Sequence, residues 1–195
     1  MICKAAHDII MQHGPRSLTF QSLGEATGLV PAALVRRFGT KRQLLIEVDT
    51  YWLEAAADTL AVAAMRHDSS LEAIVEALSS EMSFANSSTV YTNSLSFLLE
   101  SLNNPKLYKN YQSAFKRQQE SVENLLEIAK EKNELGPDVN CNELSKLLQV
   151  TQQGACHMWI MSQAEAIEVC IERYLRLALQ PYVVDKASAN ITPKR

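Results

Sequence analysis

TFQSLGEATGLVPAALVRRFGTKRQLL, residues 19–45, is the stretch whose reading decides the fold. Thr19 is placed as an N-cap, its hydroxyl free to accept from the orphan amides of a first helical turn. Phe20, Leu23 and Ala26 follow at helical spacing and predict one buried stripe. Gly28 stands where that helix must stop, because glycine takes the left-handed conformation without a Cβ penalty. Leu29 is expected to return to the core. Pro31 fits the first turn of a second helix, where its missing amide would be unpaired anyway. Ala32 and Ala33 keep that helix thin on its leading face, Leu34 and Phe38 anchor it inward, and Arg36 and Arg37 are left for phosphates. Gly39 ends it. Thr40 caps the next helix, and Gln43, three residues on, completes the pattern of a capping box. Lys41 and Arg42 then fall in a first turn, where a cation opposes the helix dipole, so an anion is expected nearby. Two short helices, a tight glycine turn and a docking helix are the layout that places one helix in a DNA major groove.

From about residue 4 to residue 46 the chain resembles the DNA-binding region of the TetR (tetracycline-repressor-like) family. The residues that carry the likeness are Ala5, Ala6, Gly14, Thr19, Leu23-Gly24, Thr27-Gly28-Leu29, Leu34-Val35, Arg37-Phe38 and Gly39-Thr40-Lys41. Three positions depart from the family pattern. Val30 stands where a serine usually caps the recognition helix, Val35 replaces a tyrosine, and Arg37 replaces a histidine. The family's basic N-terminal arm has only Lys4 to represent it. The resemblance implies that Pro31, Ala32 and Ala33, with Gln21 on the preceding helix, meet base edges. Arg36, Arg37 and Lys41 would meet phosphates, which position a protein without specifying sequence. It further implies double-stranded operator DNA and a small-molecule effector as partners, and a homodimer formed through the last two long helices.

The charge distribution agrees with a DNA-facing head. The 195 residues carry a net −3, yet residues 1–46 hold Lys4, Arg16, Arg36, Arg37, Lys41 and Arg42 against Asp8 and Glu25, a net +4 that leaves −7 for the rest. A basic head on an acidic body is the asymmetry expected where one end meets phosphates. No apolar run approaches the roughly 20 residues that span a bilayer. No signal segment is evident, so a cytoplasmic protein without membrane partners is expected. Cys3, Cys141, Cys156 and Cys170 form no CxxC pair and no cluster with histidine, and read as small buried hydrophobes.

The fold class expected is all-α: an N-terminal three-helix helix-turn-helix domain, residues 1–46, and a larger helical ligand-binding and dimerisation domain, residues 47–195, with about nine helices in all. A fourth helix is expected from Lys41 to about Ala64, with Leu44, Leu45, Val48, Tyr51, Trp52, Ala55 and Leu60 at helical spacing. Further helices start near Ser69, after the Asn86-Ser87-Ser88 break, and at Pro105. The last of these carries the inner stripe Leu107, Tyr111, Ala114, Phe115, Gln118, Val122, Leu125 and Ala129. The helix from Cys141 to Gln163 has two apolar lines. One is Leu144, Leu147, Leu148, Thr151, Ala155, Met158 and Ser162, and the other is Val150, Gly154, His157 and Met161. A helix apolar nearly all round is buried on both sides. The final helix is expected from Glu165 to Tyr182, and residues 183–195 read as a frayed tail. Apolar walls with a few placed polar groups make a pocket, which points to Trp52, Met82, Tyr91, Phe97, Tyr111, Phe115 and Gln118 as ligand-binding residues. No catalytic, cofactor or metal motif is present: there is no GxSxG, P-loop, GxGxxG or HExxH. The function expected is a ligand-responsive repressor that binds a palindromic operator as a homodimer. The alternative is a helical small-molecule-binding protein without operator-specific DNA binding.

Overall fold

Ten α-helices account for most of the described residues, 1–57 and 59–184, of the computed structural model. They are α1 (Ile2–His13), α2 (Phe20–Thr27), α3 (Pro31–Phe38), α4 (Lys41–Ala57), α5 (Thr59–Arg66), α6 (Ser70–Ser80), α7 (Ser88–Leu102), α8 (Pro105–Glu131), α9 (Cys141–Ser162) and α10 (Ile167–Leu179), with short 3-10 turns at Pro15–Ser17 and Gln180–Tyr182. No strand forms among these residues beyond an isolated antiparallel bridge between Leu135 and Val183. The all-α expectation is met. The helix expected over 41–64 is described in two stretches, α4 and α5, on either side of residue 58, which lies outside the described residues. Counted as one, they restore the expected nine. The side chain of Ala55 and most of the expected tail, residues 185–195, lie outside the described residues.

The helices sort into two compact units, Met1–Asp58 with Ser83–Arg117, and Thr59–Met82 with Gln118–Arg195. These units cut the chain elsewhere than the functional division expected between residues 46 and 47. In the first unit Ala6, Ile10, Leu18, Leu23, Leu34, Phe38, Leu44 and Val48 form one core, and α7 adds Phe97 to it. Asn93 on α7 donates to the Met11 carbonyl at 2.9 Å, tying α7 to the end of α1.

In the second unit α10 buries Ile167, Cys170, Ile171, Leu175 and Leu179 and packs against α9 and α6. Arg176 on α10 reaches Glu72 on α6 through two hydrogen bonds, at 2.6 and 2.7 Å. The start of α6 is held by a distant carboxylate. Glu134 accepts from Ser69 Oγ at 2.8 Å and from the amides of Ser70 and Leu71 at 3.1 Å each. A carboxylate at a helix N-terminus both satisfies orphan amides and complements the dipole. Of the two serines that could cap α6 by sequence, Ser69 and Ser70, it is Ser69 that does.

Three burial expectations are corrected. Ala26 and Leu29 are exposed rather than buried, because α2 and α3 meet through backbone at Gly24: a Cβ there would lie 2.6 Å from the Leu29 carbonyl oxygen. Pinning that carbonyl leaves the Leu29 side chain outside. Phe115 sits at the margin of the α8 stripe and is 55% exposed, while Leu126, which the expected stripe omits, is fully buried. On α9 the inner face is Leu144, Leu148, Ala155, Cys156 and Trp159 together with Gln149 and Gln152. Leu147 and Met158 join Val150, Gly154 and Met161 on the exposed side.

Candidate nucleic-acid interface

The geometry of residues 19–43 follows from three local devices. Thr19 Oγ1 accepts from the Ser22 amide and Ser22 Oγ accepts from the Thr19 amide, both at 2.9 Å, a closed capping box that fixes where α2 begins. Gly28, at φ 71°, ends α2 in the left-handed region. Val30 then precedes α3 with no side-chain cap, its carbonyl accepting from the Ala33 amide at 2.9 Å. Leu34 and Phe38 are buried and clamp α3 to the core. What remains on α3 and its leading turn faces out: Val30 at 67% exposure, Val35 at 44%, Ala32, Arg36 and Arg37, with Pro31 and Ala33 half-buried.

Of the expected phosphate and base contacts, Arg36 is exposed, and Arg37 places its guanidinium 5.1 Å from the centre of the Phe38 ring. Gln21 is exposed on α2 and donates to Glu25 at 2.8 Å. Lys41 is differently engaged. Its ammonium donates to the carbonyl of Pro15 at 2.8 Å and of Arg16 at 3.4 Å, closing the 3-10 turn over the start of α4. Those carbonyls explain a cation in the first turn of α4 without an external anion. The expected capping contact is present, Thr40 Oγ1 accepting from the Gln43 amide at 3.1 Å.

The residues expected to bind a ligand divide between the units. Trp52, Tyr91, Phe97, Tyr111 and Phe115 fall in the first, Met82 and Gln118 in the second. Trp52 stacks on His7 of α1 with ring centres 3.8 Å apart, and it joins Phe97 at the head core. Tyr91 is fully buried. Tyr111 donates its hydroxyl to Asp49 on α4, an acid only 2% exposed. Burial pushes the Asp49 carboxyl up to about 6 against the opposing pull of that hydrogen bond, and burial likewise pushes His7 down to about 4. In the second unit Gln118 belongs to a polar cluster. It donates to both oxygens of Glu81, at 2.6 and 2.8 Å, and accepts from Gln149 at 3.1 Å, while Gln152 donates to Glu81 at 2.9 Å. Burial raises the Glu81 carboxyl, and these amides partly offset it.

Among the hollows that open between the described residues are one in each unit. One, of about 1230 Å³, is walled in the second unit by α6 and α10, including Leu71, Val75, Glu72 and Arg176; the other, of about 480 Å³, lies in the first unit beside Glu47, Tyr51 and Lys106. Neither is lined by any of the seven residues expected from the sequence. Sequence reading passed over Asp49, Glu81, Gln149 and Gln152. The signal was there: Asp49 interrupts the apolar line of Leu45, Val48 and Trp52, and Gln149 and Gln152 flank the inner line of α9.

A helix anchored by two buried residues, baring arginines and small apolar groups on its outer side and preceded by a capped helix and a left-handed glycine, defines a helix-turn-helix DNA-binding protein. Residues 2–48, about a quarter of the chain, match the model of the bacterial regulatory proteins of the tetR family, so this region is similar to that family's N-terminal part. No curated protein sequence matches the chain. Solved structures of the same fold include a transcriptional regulator from Saccharomonospora viridis in complex with choline, 16% identical, with 94% of this chain and 96% of that one covered and a TM-score of 0.79. The transcriptional regulator FadR from Bacillus subtilis in complex with stearoyl-CoA is 14% identical, with coverage of 91% and 95% and a TM-score of 0.72. The ketosteroid transcriptional regulator KstR2 of Mycobacterium tuberculosis is 13% identical, with 94% of each chain covered and a TM-score of 0.65. At these identities the likeness is one of fold. No helix among the described residues is long and apolar enough to cross a membrane.

Proposed function

We propose that the chain is a repressor that binds a palindromic operator as a homodimer and is released by a small molecule. Residues 1–46 read DNA, and residues 47–195 bind the effector and dimerise. The observation that carries the reading is the outer side of α3, where Arg36 and Arg37 stand exposed beside Ala32 and Val35 in a head of net +4 on a chain of net −3. Gln21, Pro31, Ala32 and Ala33 are assigned to bases, and Arg36, Arg37 and the remaining donor of Lys41 to phosphates. The exposed line of Leu147, Val150, Gly154, Met158 and Met161 on α9, with Val169 and Leu177 on α10, supports a self-complementary dimer face. Structures of the same fold hold choline in one case and stearoyl-CoA in another, which supports a small-molecule effector of a class the fold does not set.

The deciding experiment is binding to duplexes selected from a random pool, measured across salt. Neutralisation of phosphates makes affinity fall steeply with salt, with a logarithmic slope near −0.9 per contact. Preference for one inverted repeat with that salt dependence is expected. Binding that is weak, salt-insensitive or indifferent to sequence would leave a helical ligand-binding protein instead.

A further inference from the structure

The geometry points to an operator read chiefly through the C5-methyl groups of thymine, by Val30, Ala32 and Val35. The inference rests on the proposed DNA-binding role of α3. Every exposed side chain on α3 and the turn before it is either apolar or an arginine: Leu29 and Val30 in the turn, then Ala32, Val35, Arg36 and Arg37. None carries the amide or carboxylate that reads adenine or cytosine edges. Gln21, the one amide assigned to bases, stands on α2 and pairs with Glu25 at 2.8 Å, so the reading by α3 itself falls to methyls and guanidiniums. In the major groove each base pair shows a distinct set of groups, and the one apolar group among them is the thymine methyl. Arginine reads guanine or phosphate. A surface of methyls flanked by guanidiniums therefore selects thymine, with guanine as the second signal.

Burial explains why these apolar groups are outside. Leu34 and Phe38 take the inward side of α3, and the backbone contact at Gly24 turns Leu29 out. Val30 is 67% exposed at a position where a serine would cap the helix, and the helix starts without a side-chain cap. An aliphatic group held in water in place of a capping hydroxyl costs helix stability and is accounted for by contact with an apolar group of the ligand. Removing one buried methyl costs about fourfold in affinity at 25 °C.

The test uses the full chain and the duplex selected for tightest binding. Each thymine is replaced in turn by deoxyuridine, which removes only the methyl. At one or more pairs in each half-site the change is expected to weaken binding about fourfold, and 5-methylcytosine placed in a C·G pair at such a position is expected to bind about fourfold better than cytosine. Val30→Ser and Val35→Ser then serve as partners in double-mutant cycles. Each should abolish the deoxyuridine penalty at its own pair while the salt slope stays unchanged, and Val30→Ser, which supplies a cap, should fold at least as well as the parent. A duplex that binds specifically yet tolerates deoxyuridine at every position overturns the methyl reading. Penalties that persist in both variants do the same, since the methyls would then act through DNA shape. If no duplex is preferred over random DNA, the proposed function fails instead, and the two failures are told apart at the first step.

Discussion

Asp49 and His7 titrate in opposite senses over the same range, so replacing either one should expose a pH dependence that the parent chain hides. Burial holds the Asp49 carboxyl at about 6 against an ordinary 3.8. Between those values the folded chain binds a proton that the unfolded chain has lost. Stability from this group is therefore present below 3.8 and lost as pH rises through 6, a change of about 3 kcal/mol at about 1.4 kcal/mol per unit. His7 is held at about 4 against an ordinary 6.5. Below 6.5 the unfolded chain takes a proton that the folded chain refuses, so its contribution is lost as pH falls through 4, again about 3 kcal/mol. From pH 4 to 6 the two slopes cancel. Asp49→Asn keeps an acceptor for the Tyr111 hydroxyl and removes one slope. Relative to the parent, it should gain about 3 kcal/mol between pH 4 and pH 7. His7→Phe keeps a ring against Trp52 and should gain relative to the parent as pH falls over the same interval. Urea unfolding at unit steps of pH, with the dependence on denaturant held common, gives both difference curves. Curves parallel to the parent for both variants would show that neither group is titrated by burial, and the reasoning would fail.

Three further outcomes are expected. Gly24→Ala should cost on the order of 1–3 kcal/mol, because its Cβ would meet the Leu29 carbonyl at 2.6 Å, and thermal melting reads this directly. Lys41→Ala should lower stability by about 1 kcal/mol through loss of the bond to the Pro15 carbonyl, and it should also reduce the salt slope of DNA binding by about one unit; a slope that does not move would confine Lys41 to its structural contact. Val150→Asp, on the exposed line of α9, should leave the melting of the monomer nearly unchanged while splitting a dimer that persists at micromolar concentration, and sedimentation showing the same mass for parent and variant would remove α9 from the interface.

What could be read in the chain is what is encoded locally. Thr19, Gly28, Ser69 and Pro105 mark helix ends through their own backbone chemistry, and Leu34 and Phe38, four apart, declare which side of α3 goes in. What the pattern leaves out of view involves groups whose partners lie far along the chain. Lys41 in a first helical turn suggests an anion nearby, and its structural partners are not legible because they are carbonyls 25 and 26 residues earlier. Leu29 looked like a core residue because leucine usually is, but Gly24 brings backbone where a side chain was expected. Asp49 and the glutamines of α9 were visible as polar breaks in apolar lines. Their acceptors and donors, Tyr111 and Glu81, were not, since helical periodicity names a face and not the residue across from it.

The carboxylate that holds the start of α6 also sets an order of events during synthesis. Glu134 follows Ser69 by 65 residues. At about 5–20 residues per second a ribosome takes roughly 3–13 s to supply it. Until then the first amides of α6 have only the Ser69 hydroxyl, and the buried side of that helix, Ile74, Val75 and Leu78, has no α10 to cover it. The head faces a shorter delay of the same kind, because Phe97 completes a core begun at Ala6. Both units are thus closed by residues made late, and a nascent chain halted between residues 82 and 97 would present two unfinished apolar surfaces at once, the state in which a chaperone has most to hold.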